Sequence, residues 1–309
     1  MADLSRRTFL AGLPVPLLAP QSRAPIVDTH MHIWASDPAR FPFSHPYEPN
    51  LRVPPIAATV ELLQEEMASN GIDYAVLVQV IYHGWDNRYT AHALARDPRR
   101  FRAHGLIDPT DPDVADKLVY WVREHRFSGM RLSPIYYRGR DEWVDSPAHE
   151  RLWKRAGELG AIFNFFIAAP QLERLERMLA RFPGVRVVID HLARIDLAGG
   201  DPAGETARLT RLARYPNVWV KVTELGILSP SKKYPYSDTF PWVRRVYDAF
   251  GPDRLLWGTG FPGATRAQAG RPSLAEELRL VREEIPFFTA EDREKLLGRN
   301  AVKLWKFGS

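Results

Sequence analysis

From Ile26 onward the chain alternates, eight times over, a short apolar run with a stretch that carries apolar residues at helical spacing. After Ile26-Val27 and the residues that follow them, the runs are 74–80, 101–107, 127–132, 161–167, 185–191, 218–222 and 254–258. Tyr74-Ala75-Val76-Leu77-Val78 is apolar at every position, the mark of a strand buried on both faces in a parallel sheet. Helical patterns lie between the runs, at 59–67 with a stop at Asn70-Gly71, 87–96, 113–125, 149–159, 171–182, 205–215 and 240–250, and two more at 273–284 and 290–305 close the chain. Strand and helix in strict alternation predict one (β/α)8 TIM-type barrel over residues 25–309 and argue against two domains.

A barrel of this kind puts its chemistry at the carboxyl ends of the strands. The first run reaches that end as Asp28-Thr29-His30-Met31-His32. Two histidines separated by one residue in an extended chain point to the same face. There they can share a metal ion or polarise a water, whereas imidazoles packed in a core would each need a hydrogen-bond partner. Residues 35–55, rich in proline and aromatics, read as a long loop over the mouth.

Composition excludes some partners. The formal net charge is +5, and Arg6, Arg7 and Arg23 against Asp3 put +2 of it in the first 24 residues. No later Lys/Arg cluster is interleaved with aromatics as nucleic-acid binding requires, and no apolar run is long enough to span a bilayer. The absence of cysteine rules out disulfides and thiolate ligands, and an oxidising compartment carries no penalty. Residues 1–24, with Ser5-Arg6-Arg7-Thr8-Phe9-Leu10 ahead of a mildly apolar stretch, read as a twin-arginine export signal, which sends the protein to the periplasm; a disordered extension is the alternative.

With His30-Met31-His32 on the first strand and Ile189-Asp190-His191 ending the sixth, the chain resembles the amidohydrolase superfamily. The likeness is to the amidohydrolase-related family 2 group, which includes metal-independent dicarboxylate-lactone and sugar-lactone hydrolases. Further stretches carry it: Ala75–Gln79 with Tyr82, Asp86 and Asn87; Ala93-Leu94-Ala95-Arg96-Asp97-Pro98; Gly129-Met130-Arg131-Leu132; Leu255-Leu256-Trp257-Gly258-Thr259; and Gly298-Arg299-Asn300-Ala301. The superfamily pattern implies that His30 and His32 bind a divalent metal together with His191, a strand-five ligand and a strand-eight aspartate. This chain departs from it twice. Phe166 falls at the strand-five position, and Trp257-Gly258-Thr259-Gly260-Phe261-Pro262 has Gly260 where the aspartate stands, so the usual ligand or base is missing.

The expected function is hydrolysis of a small carboxylated lactone or ester by water attack. His191 and Glu224 are the candidate catalytic groups, with Glu224, at the rim after strand seven, standing in for the missing base or else paired with an arginine. Arg131 reads as a clamp for a substrate carboxylate or as a bridge to Asp108 or Asp190. Tyr82, Asn87 and Lys221 complete the substrate-binding set, with a buried structural lysine as the alternative for the last, and His83 is placed to touch substrate. Alternation turns Asp190 to the outer face. His45, His92, His104, His125 and His149 read as surface or packing residues, and Tyr136, Tyr137, Trp143 and Tyr234-Pro235-Tyr236 as pocket walls or loop anchors. A zinc or manganese ion at His30 and His32, or no cofactor at all, fits this reading. A metal-dependent decarboxylase of the same superfamily and a non-catalytic small-acid binding protein are the alternatives.

Overall fold

Eight parallel strands follow one another round a single sheet in chain order: β1 (Val27–Met31), β2 (Tyr74–Val78), β3 (Phe101–Leu106), β4 (Gly129–Leu132), β5 (Ile162–Phe165), β6 (Arg186–Ile189), β7 (Val218–Lys221) and β8 (Leu255–Leu256). The computed structural model describes residues 23–48, 50, 58–260 and 271–308. The export signal expected at the N-terminus, part of the expected mouth loop, and Phe261-Pro262 lie outside them. Helices alternate with the strands as α1 (Val60–Asn70), α2 (Arg88–Arg96), α3 (Val114–His125), α4 (Pro147–Leu159), α5 (Leu172–Arg181), α6 (Pro202–Arg211), the short α7 (Leu225–Leu228) and α8 (Phe240–Phe250). Their ends follow local chemistry. In α4, Ser146 caps the first turn by accepting from the His149 amide, Pro147 fits a position that needs no N–H, and Gly160 takes the left-handed conformation (φ 63°) that ends the helix.

The sheet closes through the ends of β8 and β1. Thr29 donates from both its amide and its hydroxyl to Trp257 O (3.1 and 2.5 Å), and beyond it Gly260 pairs with the first strand, His32 N donating to Gly260 O (2.8 Å). Asp28 reinforces the seam, accepting from Thr259 N at 3.1 Å and Thr259 Oγ1 at 2.5 Å. Between Asp28 and Met31 the register with β2 slips, so β1 carries one extra residue, a bulge that re-aims the side chains after it.

Two apolar layers hold the barrel. The outer one, between strands and helices, includes Phe101, Trp153, Phe163 and Val220. The inner one packs Val27, Val76, Val78, Ile162, Val188 and Leu256 against Ala301, Leu304 and Trp305 of the C-terminal helix. That helix stops the amino-terminal end of the barrel: Arg102 donates to Trp305 O (3.0 Å), Arg186 to Leu304 O (3.1 Å), and Trp305 Nε1 to His104 Nε2 (2.8 Å). The opposite end is left for the loops that follow the strands, where this fold carries its chemistry.

Most observed strands are shorter than the apolar runs because the carboxyl end of the run leaves the sheet to build the mouth; β6 stops at Ile189, before Asp190 and His191, whereas β4 keeps Leu132 and loses Phe127 and Ser128 at its amino end. β4 and β5 approach closely at Gly129. A Cβ on Gly129 would overlap the Ile162 carbonyl, which is backbone and cannot swing aside. Gly129→Ala is therefore expected to destabilise the barrel by about 3 kcal/mol, read as a lower urea midpoint; an unchanged midpoint would contradict the close approach.

Candidate active site

The bulge in β1 brings His30 and His32 to the interior together. Their Nε2 atoms lie 3.2 Å apart, and His32 Nδ1 donates to Val78 O at 2.7 Å, which leaves its Nε2 as an acceptor. His30 therefore offers Nε2–H to His32, and its Nδ1 accepts from the Lys221 ammonium at 3.0 Å. His191 stands against His30 edge to face, ring centroids 4.4 Å apart, with Nδ1 2.7 Å from Thr223 Oγ1. Three imidazoles from β1 and the end of β6 thus converge in one buried cluster. His30, Asp190 and His191 each present a potential ligand atom, all within 4.8 Å of one another.

Asp190 was expected on the outer face, and the structure corrects this. It is fully buried and points inward, with Oδ1 3.0 Å from Lys221 Nζ and 3.4 Å from His30 Nδ1, and Oδ2 accepting from Arg131 Nε at 2.9 Å. Strand alternation would send Asp190 and His191 to opposite sides. The backbone escapes alternation because His191, Leu192, Ala193 and Arg194 all take left-handed conformations (φ 49–54°), a single left-handed turn directly after the strand. Such a turn costs non-glycine residues roughly 1–2 kcal/mol each. It persists because its side chains are tied down at Thr223 and, through Arg194, at Glu224.

Glu224, also left-handed (φ 58°), accepts from Arg194 Nη1 at 2.6 Å and faces Arg271 Nη2 at 2.7 Å, with His191 Nδ1 3.8 Å away. Burial pushes its carboxyl up, but Arg271 and Arg194 outweigh burial and hold it below its ordinary value. Arg271 reaches the seam as well, since a Cβ on Gly260 would lie 2.5 Å from Arg271 Nη1. The space next to the missing strand-eight aspartate is filled by a guanidinium.

Arg131 lies over the Phe166 ring (4.3 Å) and Arg194 over the same ring at 5.5 Å, so the residue at the strand-five ligand position is an aromatic platform for two cations. The Nη groups of Arg131 make no hydrogen bond among the described residues. Four cations (Arg131, Arg194, Lys221, Arg271) meet three buried carboxylates (Asp28, Asp190, Glu224), and the described ring carries a small surplus of positive charge. Two cavities adjoin it: one of about 830 Å³, reaching the ring at Arg194, and one of about 230 Å³, reaching it at Glu224 and Arg271.

The histidines are held neutral. Burial is the largest cause at each; Lys221 adds to it at His30 and Arg131 at His32 and His191, and His32 is lowered to about 3. Burial also lowers the Lys221 ammonium, against the pull of Asp190.

Some expected contacts fall elsewhere. Asn87 is buried, its amide donating to Leu106 O (2.8 Å) and accepting from Leu106 N (2.8 Å), so both ends of the amide hold β3. Lys221 is fully buried on His30 and Asp190 and holds the ring from within. His83 is packed under the loop, facing Pro42 O and Ala35 N. Tyr82 is half-buried beside Trp34. Of the residues missed, Arg194 and Thr223 sit in the same post-strand segments as His191 and Glu224 and could have been found by counting on from the strand ends. Arg271 lies eleven residues past Gly260 and carries no local signal.

The family model described as amidohydrolase matches residues 27–307. A 4-sulfomuconolactone hydrolase from Rhizobium radiobacter is 30% identical over 311 residues, covering 96% of this chain and 97% of the relative. A 2-pyrone-4,6-dicarboxylate hydrolase from Comamonas testosteroni is 28% identical, covering 93% of this chain and 92% of the relative. Among solved structures, an amidohydrolase from Burkholderia multivorans with bound zinc superimposes with a TM-score of 0.71 at 22% identity, over 92% of this chain and all of that one.

The buried neutral histidines set a pH dependence of stability. His104, lowered to about 3 chiefly by burial, stays uncharged in the fold, whereas the unfolded chain protonates it near 6.5. Its stabilisation is complete above pH 6.5 and is lost as pH falls from there toward 3, because the unfolded state binds the extra proton. His104→Asn is expected to flatten the decline between about pH 6 and 4 by about 1.4 kcal/mol per pH unit, measured from urea midpoints; an identical slope in both proteins would contradict this.

Proposed function

We propose, from the premise that the chain belongs to the amidohydrolase family, that it hydrolyses small anionic lactones or esters by water attack without a metal. The observation that carries this is the neutral imidazole cluster set beside a surplus of positive charge. A lactone carboxylate would be held by the Nη groups of Arg131, with Arg194 and Arg271 adding attraction. His191, with Nδ1–H given to Thr223 Oγ1, keeps an Nε2 lone pair that makes no hydrogen bond among the described residues. It takes the proton of the attacking water as the new C–O bond forms. His30 Nε2–H, its tautomer set by Lys221 at Nδ1, leaves its partner His32 Nε2 and turns to the substrate carbonyl, which it polarises as the oxygen becomes negative. The tetrahedral intermediate then breaks its ring C–O bond, and the departing oxygen recovers the proton from His191. Glu224, its oxygens committed to two arginines, stabilises the imidazolium across 3.8 Å instead of serving as the base. The lactone hydrolases among the relatives support the substrate class.

A divalent ion does not suit the donors at His30, Asp190 and His191. The carboxylate of Asp190 already faces two cations, and Phe166 and Gly260 bring no ligand. The decarboxylase alternative, which needs such an ion, is the weaker reading on this donor set. The twin-arginine reading of residues 1–24 supports delivery to the periplasm.

Three outcomes test the reading. His191→Asn is expected to lower kcat on a carboxylated lactone by roughly 10²–10⁴-fold, and undiminished turnover would overturn His191 as the base. Arg131→Gln is expected to raise KM for the carboxylated lactone well beyond its effect on a neutral lactone; equal effects on both would remove the clamp. Replacing Arg6 and Arg7 together by lysine is expected to keep the protein in the cytoplasmic fraction, and unchanged periplasmic recovery would refute export by this route.

A further inference from the structure

Two of the three residues that could hold an ion in this cluster already face a cation that the chain itself carries. Lys221, fully buried on β7, sets its ammonium 3.0 Å from His30 Nδ1 and 3.0 Å from Asp190 Oδ1. His30 and Asp190 are two of the three residues whose ligand atoms cluster within 4.8 Å, and His191 is the third. An ammonium is a compact point charge with three donors, able to serve an imidazole nitrogen and a carboxylate oxygen at once. Divalent ions favour the same N and O atoms.

We propose that the Lys221 ammonium is the resident cation of this site: tethered to β7, it holds His30 and Asp190 in the arrangement a divalent ion would impose, and it keeps divalent ions out. Three features of the surroundings bear on the exclusion. Arg131 neutralises the other oxygen of Asp190 (2.9 Å), so the carboxylate has no charge left to attract a second cation. Arg271 stands where a side chain from Gly260 would project. Phe166 lines the strand-five side with a ring that offers no lone pair. Any divalent ion entering the cluster would sit within a few ångströms of the ammonium and close to Arg131, and like charges at that range in a buried site repel strongly. Lys221 in this role is a positioning residue, acting through the tautomer of His30 and the orientation of Asp190. The inference stands on the donor geometry alone and does not depend on which substrate is cleaved.

A lysine that only balances the charge of Asp190 would also be buried and paired, so the test needs a readout that charge balance would not produce. The full chain is titrated with Co(II) at about pH 7.5 and followed by visible d–d absorption, with Zn(II) measured by competition. The wild-type protein is expected to bind Co(II) weakly and give no tetrahedral spectrum. Lys221→Met, which keeps an unbranched side chain one atom shorter and removes its charge, is expected to take up one equivalent at least roughly 100-fold more tightly. A second substitution, His30→Asn, is expected to abolish that gain, and Lys221→Arg is expected to stay as weak as the wild type. A folded Lys221→Met protein that binds Co(II) no better than the wild type would overturn the proposal and leave Lys221 as a charge partner of Asp190. If Lys221→Met does not fold, the wild-type titration still decides: stoichiometric Co(II) uptake in the micromolar range or tighter that disappears in His30→Asn would overturn the exclusion, and its absence would support it.

Discussion

The Asp190 carboxylate is the point on which the site is assembled. Fully buried, it meets Lys221 and His30 on one oxygen and Arg131 on the other. An uncompensated carboxylate at that depth would be costly, and so would either cation without it. The three elements β4, β6 and β7 are therefore bound into one geometry, and β1 joins through His30. Nearly every role assigned in the mouth follows from this contact: the tautomer of His30, the orientation of the Arg131 guanidinium over Phe166, and the position of His191, one residue along the chain.

The backbone is bent to serve the contact. An ordinary exit from β6 would present either Asp190 or His191 to the chamber, and the left-handed turn from His191 to Arg194 presents both. Strain of this kind is found where surrounding structure over-determines it. Here Thr223, Glu224 and Arg271 supply that structure, from the end of β7 and beyond the end of β8. The same bonds leave the chamber cationic, which selects an anionic ligand before any detail of its shape is considered.

Stability and chemistry are separated along the barrel axis. The C-terminal helix stops the lower end with apolar side chains and with arginines on its last carbonyls. His104 belongs to that plug by its bond to Trp305, although it faces the same interior as the site histidines. The apolar layer of Val76, Ile162, Val188 and Leu256 packs on the C-terminal helix, and burial together with Lys221 and Arg131 leaves the site imidazoles uncharged.

What the sequence by itself determined was the barrel. Apolar runs of five to seven residues separated by helical patterns admit few other closed arrangements, since period and burial are written residue by residue. The position of His30, His32, His191 and Arg131 at the carboxyl ends of strands was legible for the same reason. The inward face of Asp190, the burial of Asn87 against Leu106, and the arrival of Arg271 beside Gly260 were decided only in three dimensions. Each depends on something that local pattern does not encode: a left-handed turn made from non-glycine residues, an amide spent on a neighbouring strand, and a guanidinium brought across the seam from beyond the last strand. Alternation describes a chain while it stays extended, and a site is built where the chain stops being so.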